Sequence, residues 1–444
     1  MKSRVSSTLQ QRGLQHVWHP CSQMKDYETF LPLEIESAQG SYIQLQDGRS
    51  LIDAVSSWWC KSLGHGHPVL KQALQAQADK FEHVILANTI NRPIVDLSEK
   101  LAQLCPPLDK VSFASDGSCA VEMAMKVSLH AHQLKGMPQR TDFMALRNGY
   151  HGETAAAMAV TDLGLYRAPY VAMLPNNVHF LEGLPYVSGT ADPLWENCEA
   201  MWPPLEAQLN QHADTLTAII VEPVLQGAGS MSLYSPDVLR RLSAWAKARG
   251  IHMIADEILT GIGRTGTALA CEHAGLVPDF ICLSKGLTSG WLPLSVMMTS
   301  AEIYDLFYDD HESGKAFLHS HTYTGNTLGV AVANACLDVM ASEQIYAYVQ
   351  NTLAPHLQQR FTEVANQTGK LHNLRHLGAM VAADLVVPGP GRLGYEICQA
   401  AARLGALIRP LGNTLYWVPP LNTTTATIDE LADITQQAIT DVLG

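Results

Sequence analysis

Two stretches decide the fold: Gly250-Ile251-His252-Met253-Ile254-Ala255-Asp256-Glu257 and Asp279-Phe280-Ile281-Cys282-Leu283-Ser284-Lys285. Each is a short apolar run of strand length, and the runs end in a carboxylate, Asp256, and an amine, Lys285. In an open α/β sheet, ligands bind in the crevice at the carboxyl ends of the strands. An amine there can condense with an aldehyde, and a carboxylate can hold a proton on a pyridine nitrogen. Those are the two attachments that pyridoxal phosphate requires. Either residue alone is more often a solvated strand end or a surface ion pair, which is worth little. Delivered together by two strands, they point to a site.

Outward from this pair, strands are expected at 111–114, 142–147, 216–224 and 251–256, and a helix over 119–135. Another helix has Ser235 as its N-cap, Pro236 at its first position and Gly250 at its end. Such alternation implies an α/β fold with a mostly parallel central sheet and helices on both faces. Residues 65–330 would form a large cofactor-binding domain. After a helix near 328–342, residues 331–444 would form a smaller α+β domain. The segment 1–64, with a strand at 41–45 and an Asp47-Gly48 turn, would join that smaller domain.

Composition narrows the function. Of 444 residues, 47% are apolar and 16% charged, which suits a well-buried enzyme and not a disordered or fibrous chain. A net charge of −13 argues against nucleic acid or an anionic membrane as the main partner, leaving small molecules. The nine cysteines include no C-x-x-C pair, and residues 1–16 are polar with no apolar signal core, so a reducing, cytoplasmic setting is expected.

Several loops carry further chemistry. Ser115-Asp116-Gly117-Ser118 lies between a strand and a helix, where helix amides attract an anion; Gly117 and Ser118 are candidate phosphate ligands. Taken locally, the same run is an ordinary helix cap. Asn148-Gly149-Tyr150-His151-Gly152 follows another strand, and Tyr150 could stack on a flat ring. Glu222-Pro223 ends a third strand, so polar groups converge on one crevice. Residues 321–326, His-Thr-Tyr-Thr-Gly-Asn, offer hydroxyls just before a helix.

Two motifs are weighed and set aside. Gly261-Ile262-Gly263-Arg264-Thr265-Gly266 fits the dinucleotide fingerprint in letters, but four residues separate it from the strand. Its glycines are expected to shape a loop that presents Arg264. His65-Gly66-His67 and His319-Ser320-His321 have metal-like spacing without the ligands to complete a set, so no metal is expected.

Taken together, Gly117-Ser118, Tyr150-His151-Gly152, Glu222-Pro223, Asp256-Glu257, Gly263-Arg264-Thr265-Gly266, Lys285-Gly286 and Thr322 resemble the class III pyridoxal-phosphate aminotransferases of fold type I, over nearly the whole chain. The resemblance implies Lys285 and Asp256 as catalytic residues. Gly117, Ser118, Tyr150, Glu222, His321 and Thr322 would complete the cofactor site, with the partner subunit's Thr322 reaching the phosphate across a homodimer. Trp18-His19-Pro20, Ser56-Ser57-Trp58-Trp59, Ala270-Cys271-Glu272-His273 and Ile408-Arg409-Pro410 with Tyr416 resemble members acting on 8-amino-7-oxononanoate in biotin synthesis. S-adenosylmethionine is the implied donor. For these the resemblance implies a substrate site of Trp58, Trp59, Tyr150, Arg264, Ser320, Arg409, Tyr416 and Cys21.

Ornithine- and 4-aminobutyrate-type members carry a glutamate where this chain has Ala228, which disfavours those substrates. Cys21 stands where a tyrosine is usual, and His321 where a proline is usual. The alternatives are lysine as donor, an ω-amino acid:pyruvate aminotransferase, a nicotinamide oxidoreductase, or a non-catalytic scaffold.

Overall fold

The structure, a computed structural model, describes residues 8–386 and 392–444; residues 1–7 of the polar N-terminal stretch lie outside them. At its centre is a seven-stranded sheet. Its strands are Leu108–Ala114, Asp142–Leu146, Val178–Leu181, Leu216–Val221, His252–Asp256, Phe280–Leu283 and Ser295–Ser300. Named by first residue, their order across the sheet is Leu108, Ser295, Phe280, His252, Leu216, Asp142, Val178. Ser295–Ser300 runs antiparallel to both its neighbours and the other pairings are parallel.

The inner strands are buried on both faces, which is why they read as unbroken apolar runs. Side chains alternate between two cores, as the period of two requires. Ile254, Phe280 and Cys282 pack under the Gly117–Leu134 helix. Ala255, Ile281 and Leu283 face the larger core, which holds Leu239, Leu242 and Trp245 of the Pro236–Lys247 helix. Ser235 Oγ caps that helix by accepting from Asp237 N at 3.2 Å. The strand expected to reach residue 224 stops at Val221. Pro223 cannot donate to the ladder, and Val224 turns to φ +56°.

Both chain ends build the flank of this core. Strands Ile35–Gln39, Tyr42–Leu45 and Ser50–Asp53 form a meander, and Ala406–Leu407 adds to it parallel to Ser50–Asp53. Leu371–His376, Val381–Leu385 and Thr414–Trp417 form an antiparallel sheet, with helices Ala354–Thr368, Leu393–Leu404 and Thr425–Leu443 in the same region. Residues 261–266 form a turn, followed only by the single 3-10 turn Ala270–Ala274. There Arg264, expected at the substrate, is buried and donates through Nη1 to the carbonyls of Ala379 (2.9 Å) and Pro419 (2.7 Å). Burial lowers its pKa to about 9, and its hydrogen bonds join the turn to the C-terminal region. Among the described residues no helix is long and apolar enough to cross a membrane.

One buried pair makes stability depend on pH. His252 stacks on His132 at 4.3 Å; His252 Nδ1 meets Ser128 Oγ at 2.8 Å, and His132 Nε2 meets the Thr217 carbonyl at 3.0 Å. Burial is the main cause of lowering His252 to about 3 and His132 to about 4, with Lys135 and Arg140 adding to it. An unfolded histidine titrates near ~6.5, so below that pH the unfolded chain binds protons that the folded chain refuses. Their contribution is therefore complete above that value and is lost as pH falls toward the folded values. The expected loss is about 1.4 kcal/mol per pH unit for each histidine in that window. Urea unfolding at pH 7 and pH 5 should show a shallower decline for His132→Gln/His252→Gln than for wild type; equal declines would refute it.

Candidate active site

The carboxyl ends of the parallel strands open into one cavity of about 680 Å³. Cys21, Trp58, Trp59, Gly117, Ser118, Tyr150, Glu222, Asp256, Lys285, Arg409 and Tyr416 all line it. Each parallel strand contributes where its ladder ends, because the next peptide is free to turn toward the crevice.

At the floor, Asp256 is 4% exposed, and its Oδ2 lies 2.8 Å from Nδ1 of the equally buried His151. Its Oδ1 accepts from Ile258 N at 3.1 Å. With an imidazole N–H on one side and an amide on the other, the carboxylate is fixed in direction. His151 is in turn set by Thr161 Oγ1, which accepts its backbone N–H at 2.9 Å. Sequence reasoning quoted His151 only as part of a loop. The local signal was weak, since its partner sits two strands away in the sheet.

Lys285 follows its strand with φ +41°, a left-handed backbone that turns the residue out of the ladder toward the cavity. Burial lowers its pKa, and the negative charges of Asp256 and Glu222 act against that shift. Its Nζ lies 5.1 Å from the centre of the Trp59 ring. Glu222 is pushed up to about 7 by burial. It braces two loops, with Oε2 accepting from Tyr150 N (2.9 Å) and Oε1 from Gly227 N (3.0 Å).

The opposite side has the form of an anion cradle. Asp116 caps the Gly117–Leu134 helix through Cys119 N at 3.1 Å, and Gly117 and Ser118 supply the first helical residues to the cavity wall. A Cβ on Gly117 would stand 2.8 Å from Ile258 Cδ1, and one on Gly152, at φ +125°, would overlap Ser118 Oγ at 2.1 Å. Both glycines keep the backbone close and the pocket open. A carboxylate for a ring nitrogen, a lysine amine, helix-terminal amides for a phosphate and the flat side chain of Tyr150 share one cavity. This donor set fits pyridoxal phosphate.

The other end of the cavity is aromatic and basic. The guanidinium of Arg409 lies 4.3 Å from the Trp58 ring centre, and its Nη2 donates to the Cys21 carbonyl at 3.1 Å. Trp59 Nε1 donates to Tyr416 OH at 3.2 Å, and Tyr150 OH donates to Glu153 at 3.0 Å. Tyr166 also lines this end and packs edge-on to Tyr150 at 6.3 Å, and burial raises its pKa. No periodicity around residue 166 marks it, so sequence reasoning missed it.

Four expected residues are not brought in. Arg264 is held by backbone carbonyls instead. Ser320, His321 and Thr322 do not line this chain's cavity; Thr322 and Ser320 are exposed, and the Thr322 carbonyl meets His83 Nε2 at 2.9 Å. Nor do the paired histidines gather as ligands. His65 bonds Asp53, His319 meets Lys126, and no group of three metal-binding side chains occurs among the described residues.

Comparison with known proteins agrees with this geometry. The sequence model for aminotransferase class-III matches residues 23–439. Adenosylmethionine-8-amino-7-oxononanoate aminotransferase of Helicobacter pylori is 39% identical, with 92% of each chain covered. The protein of that name from Synechococcus elongatus is 39% identical over 96% of this chain and 98% of its own. Among solved structures, the one so named from Methanocaldococcus jannaschii superposes with a TM-score of 0.90 at 31% identity, covering 98% of this chain and 99% of that one. An amine transaminase from an uncultivated Pseudomonas species, solved with pyridoxal phosphate bound, gives 0.87 at 29% identity over 96% and 99%. With catalytic floor, anion cradle and fold in agreement, the chain belongs to the class III aminotransferases and is a pyridoxal-phosphate-dependent transaminase of fold type I.

Proposed function

We propose that this enzyme aminates 8-amino-7-oxononanoate to 7,8-diaminononanoate in biotin biosynthesis, with S-adenosylmethionine as the amino donor, in the cytoplasm. The observation that carries the reading is the substrate end, where Arg409 stands over Trp58 beside Trp59 and Tyr416. A guanidinium suits a carboxylate, and aromatic walls suit a long aliphatic chain. The names of the relatives from Helicobacter, Synechococcus and Methanocaldococcus support the same acceptor.

Pyridoxal phosphate, when bound, supplies an aldehyde for amine exchange and a ring that takes up electrons from the substrate carbon. Asp256, steered by His151, holds a proton on the ring nitrogen. Lys285 Nζ, made less basic by burial, takes a proton from the substrate carbon and returns it as general base and acid. Gly117 and Ser118 would bind the phosphate and Tyr150 would cover the ring, while Glu222 keeps the Tyr150 loop in place. Arg409 binds the acceptor's carboxylate while Trp58, Trp59 and Tyr416 exclude water from its chain.

The working unit is a homodimer, with the partner subunit's Thr322 completing the phosphate site. Support comes from exposed apolar side chains on two segments, Ile85 (65%) and Ile90 (76%) after His83 and Leu318 (91%) and Tyr323 (63%) around Thr322, which meet where His83 Nε2 approaches the Thr322 carbonyl. Light scattering should give about twice the 48.4 kDa chain mass, and a monomer at working concentration would overturn this arrangement.

Lys285→Ala should abolish turnover and remove the visible absorption of the bound cofactor, so an active variant refutes the assignment. Asp256→Asn should lose several orders of magnitude in rate, and near-normal kinetics would rule out its part at the ring nitrogen. Lysine as donor is the second reading, kept by Cys21, which puts a small exposed thiol at the cavity mouth. Mixing the loaded enzyme with S-adenosylmethionine should bleach the cofactor band and mixing with lysine should not. The reverse result would make lysine the donor.

A further inference from the structure

The turn Ser56-Ser57-Trp58-Trp59 carries three non-glycine residues in left-handed backbone, with φ +49° at Ser56, +61° at Ser57 and +63° at Trp59. Such a run persists only where its surroundings over-determine it. Asp53 is the main constraint. It is fully buried at the end of the Ser50–Asp53 strand, and both its carboxylate oxygens are committed to this turn and its neighbour His65. Oδ1 accepts from Ser57 N at 2.8 Å, and Oδ2 accepts from Ser57 Oγ at 2.9 Å and lies 2.8 Å from His65 Nε2. The His65 ring also stands 3.4 Å from Ser57 Oγ.

His65 cannot drift. Its backbone is paired in both directions with Gly40, at 2.9 and 2.8 Å, and Gly64 packs so tightly there that a Cβ would stand 2.7 Å from the Gly40 carbonyl. Neither Asp53 nor His65 touches the cavity, but the two residues the turn delivers, Trp58 and Trp59, form its wall. The same corner is laced to the other end of the chain. Ser56 Oγ donates to the Val418 carbonyl at 2.7 Å, and Ala54 N donates to the Leu407 carbonyl at 3.1 Å. Arg409 and Tyr416 each sit two residues from those anchors, so the turn and its partners move as one body.

We propose that Asp53 and His65 form a clasp that holds the strained turn and thereby sets how tightly the enzyme binds its acceptor. Asp53 is a positioning residue acting through Trp58 and Trp59, with no part in proton transfer at Lys285. The inference deepens the proposed function and rests on its acceptor. Loss of a buried carboxylate leaves the Ser57 amide and hydroxyl and His65 without their partner. The turn then relaxes toward ordinary backbone, and the aromatic wall loses its register against Arg409.

The test is steady-state kinetics on the cofactor-loaded dimer together with acrylamide quenching of tryptophan fluorescence. Asp53→Ala should raise the acceptor KM about tenfold, the scale of one lost positioning hydrogen bond, with kcat and the cofactor band nearly unchanged. Ser57→Ala, which keeps the backbone hydrogen bond, should give a smaller rise of about threefold and carries the test if Asp53→Ala does not fold. Comparing each variant with and without Trp58→Phe isolates the Trp58 signal, which should become more quenchable once the clasp is gone. A folded Asp53→Ala enzyme with wild-type acceptor KM and wild-type quenching overturns the clasp, as does a fall in kcat with KM unmoved. Should wild type fail to aminate the oxononanoate at all, the acceptor assignment falls, and the quenching comparison alone decides the clasp.

Discussion

A carboxylate and an amine held out of water at the edge of one sheet are the constraint that organises this molecule. Burying an ionised group is costly unless something nearby repays it, and Asp256 has His151 and the Ile258 amide to do so. Lys285 has no such cage; desolvation weakens its hold on a proton while Asp256 and Glu222 strengthen it. The outcome is an amine poised to exchange protons, in a cavity whose floor already carries the opposite charge. The seven strands, the two cores and the glycine cradle serve to keep those groups fixed relative to one another.

Strain follows from the same requirement. Asn148, Val224, Ile262, Lys285 and Ser289 adopt left-handed backbone near the strand ends, as do Ser56, Ser57 and Trp59 at the substrate wall. A regular ladder would point these peptides along the sheet, and each departure turns the chain out of it. Left-handed non-glycine residues cost of order 1–3 kcal/mol each and survive only where packing and hydrogen bonds leave no alternative. Two of them, Trp59 and Lys285, line the cavity itself.

How much of this could be read from the sequence depended on the range of the determining contacts. His252–Asp256 and Phe280–Leu283 were legible because a strand buried on both faces must be apolar along its whole length. Asp256 and Lys285 were legible only as a pair, because either alone is ordinarily a solvated strand end and two strands deliver both to one crevice. Arg264 was misread for the opposite reason: the carbonyls that hold it belong to Ala379 and Pro419, 115 and 155 residues onward. Tyr166 and His151 escaped likewise, since each gains its meaning from a neighbour brought in by topology. His65 drew notice for its spacing to His67, yet its partner is Asp53, on a strand before the turn. Local pattern finds strands and their ends; it does not find which distant carbonyl or carboxylate a polar side chain will meet.

The two halves of the cavity come from different parts of the chain, and that division has a consequence. The catalytic floor is drawn from successive parallel strands of the central sheet, where any shift would disturb two cores at once. The wall proposed for the substrate is drawn from both ends of the chain, joined by the short Ser50–Asp53 and Ala406–Leu407 pairing and by hydrogen bonds between them. On the proposed reading, changes in that wall would retune which molecule is bound while leaving proton transfer at Lys285 intact. Cys21 and Tyr166, a thiol and a phenol from separate segments of the chain, line the cavity at this end. On the proposed reading specificity sits in this wall, and the buried carboxylate of Asp53, with Ser57 and His65 as its partners, is the tie through which a single substitution would reach it.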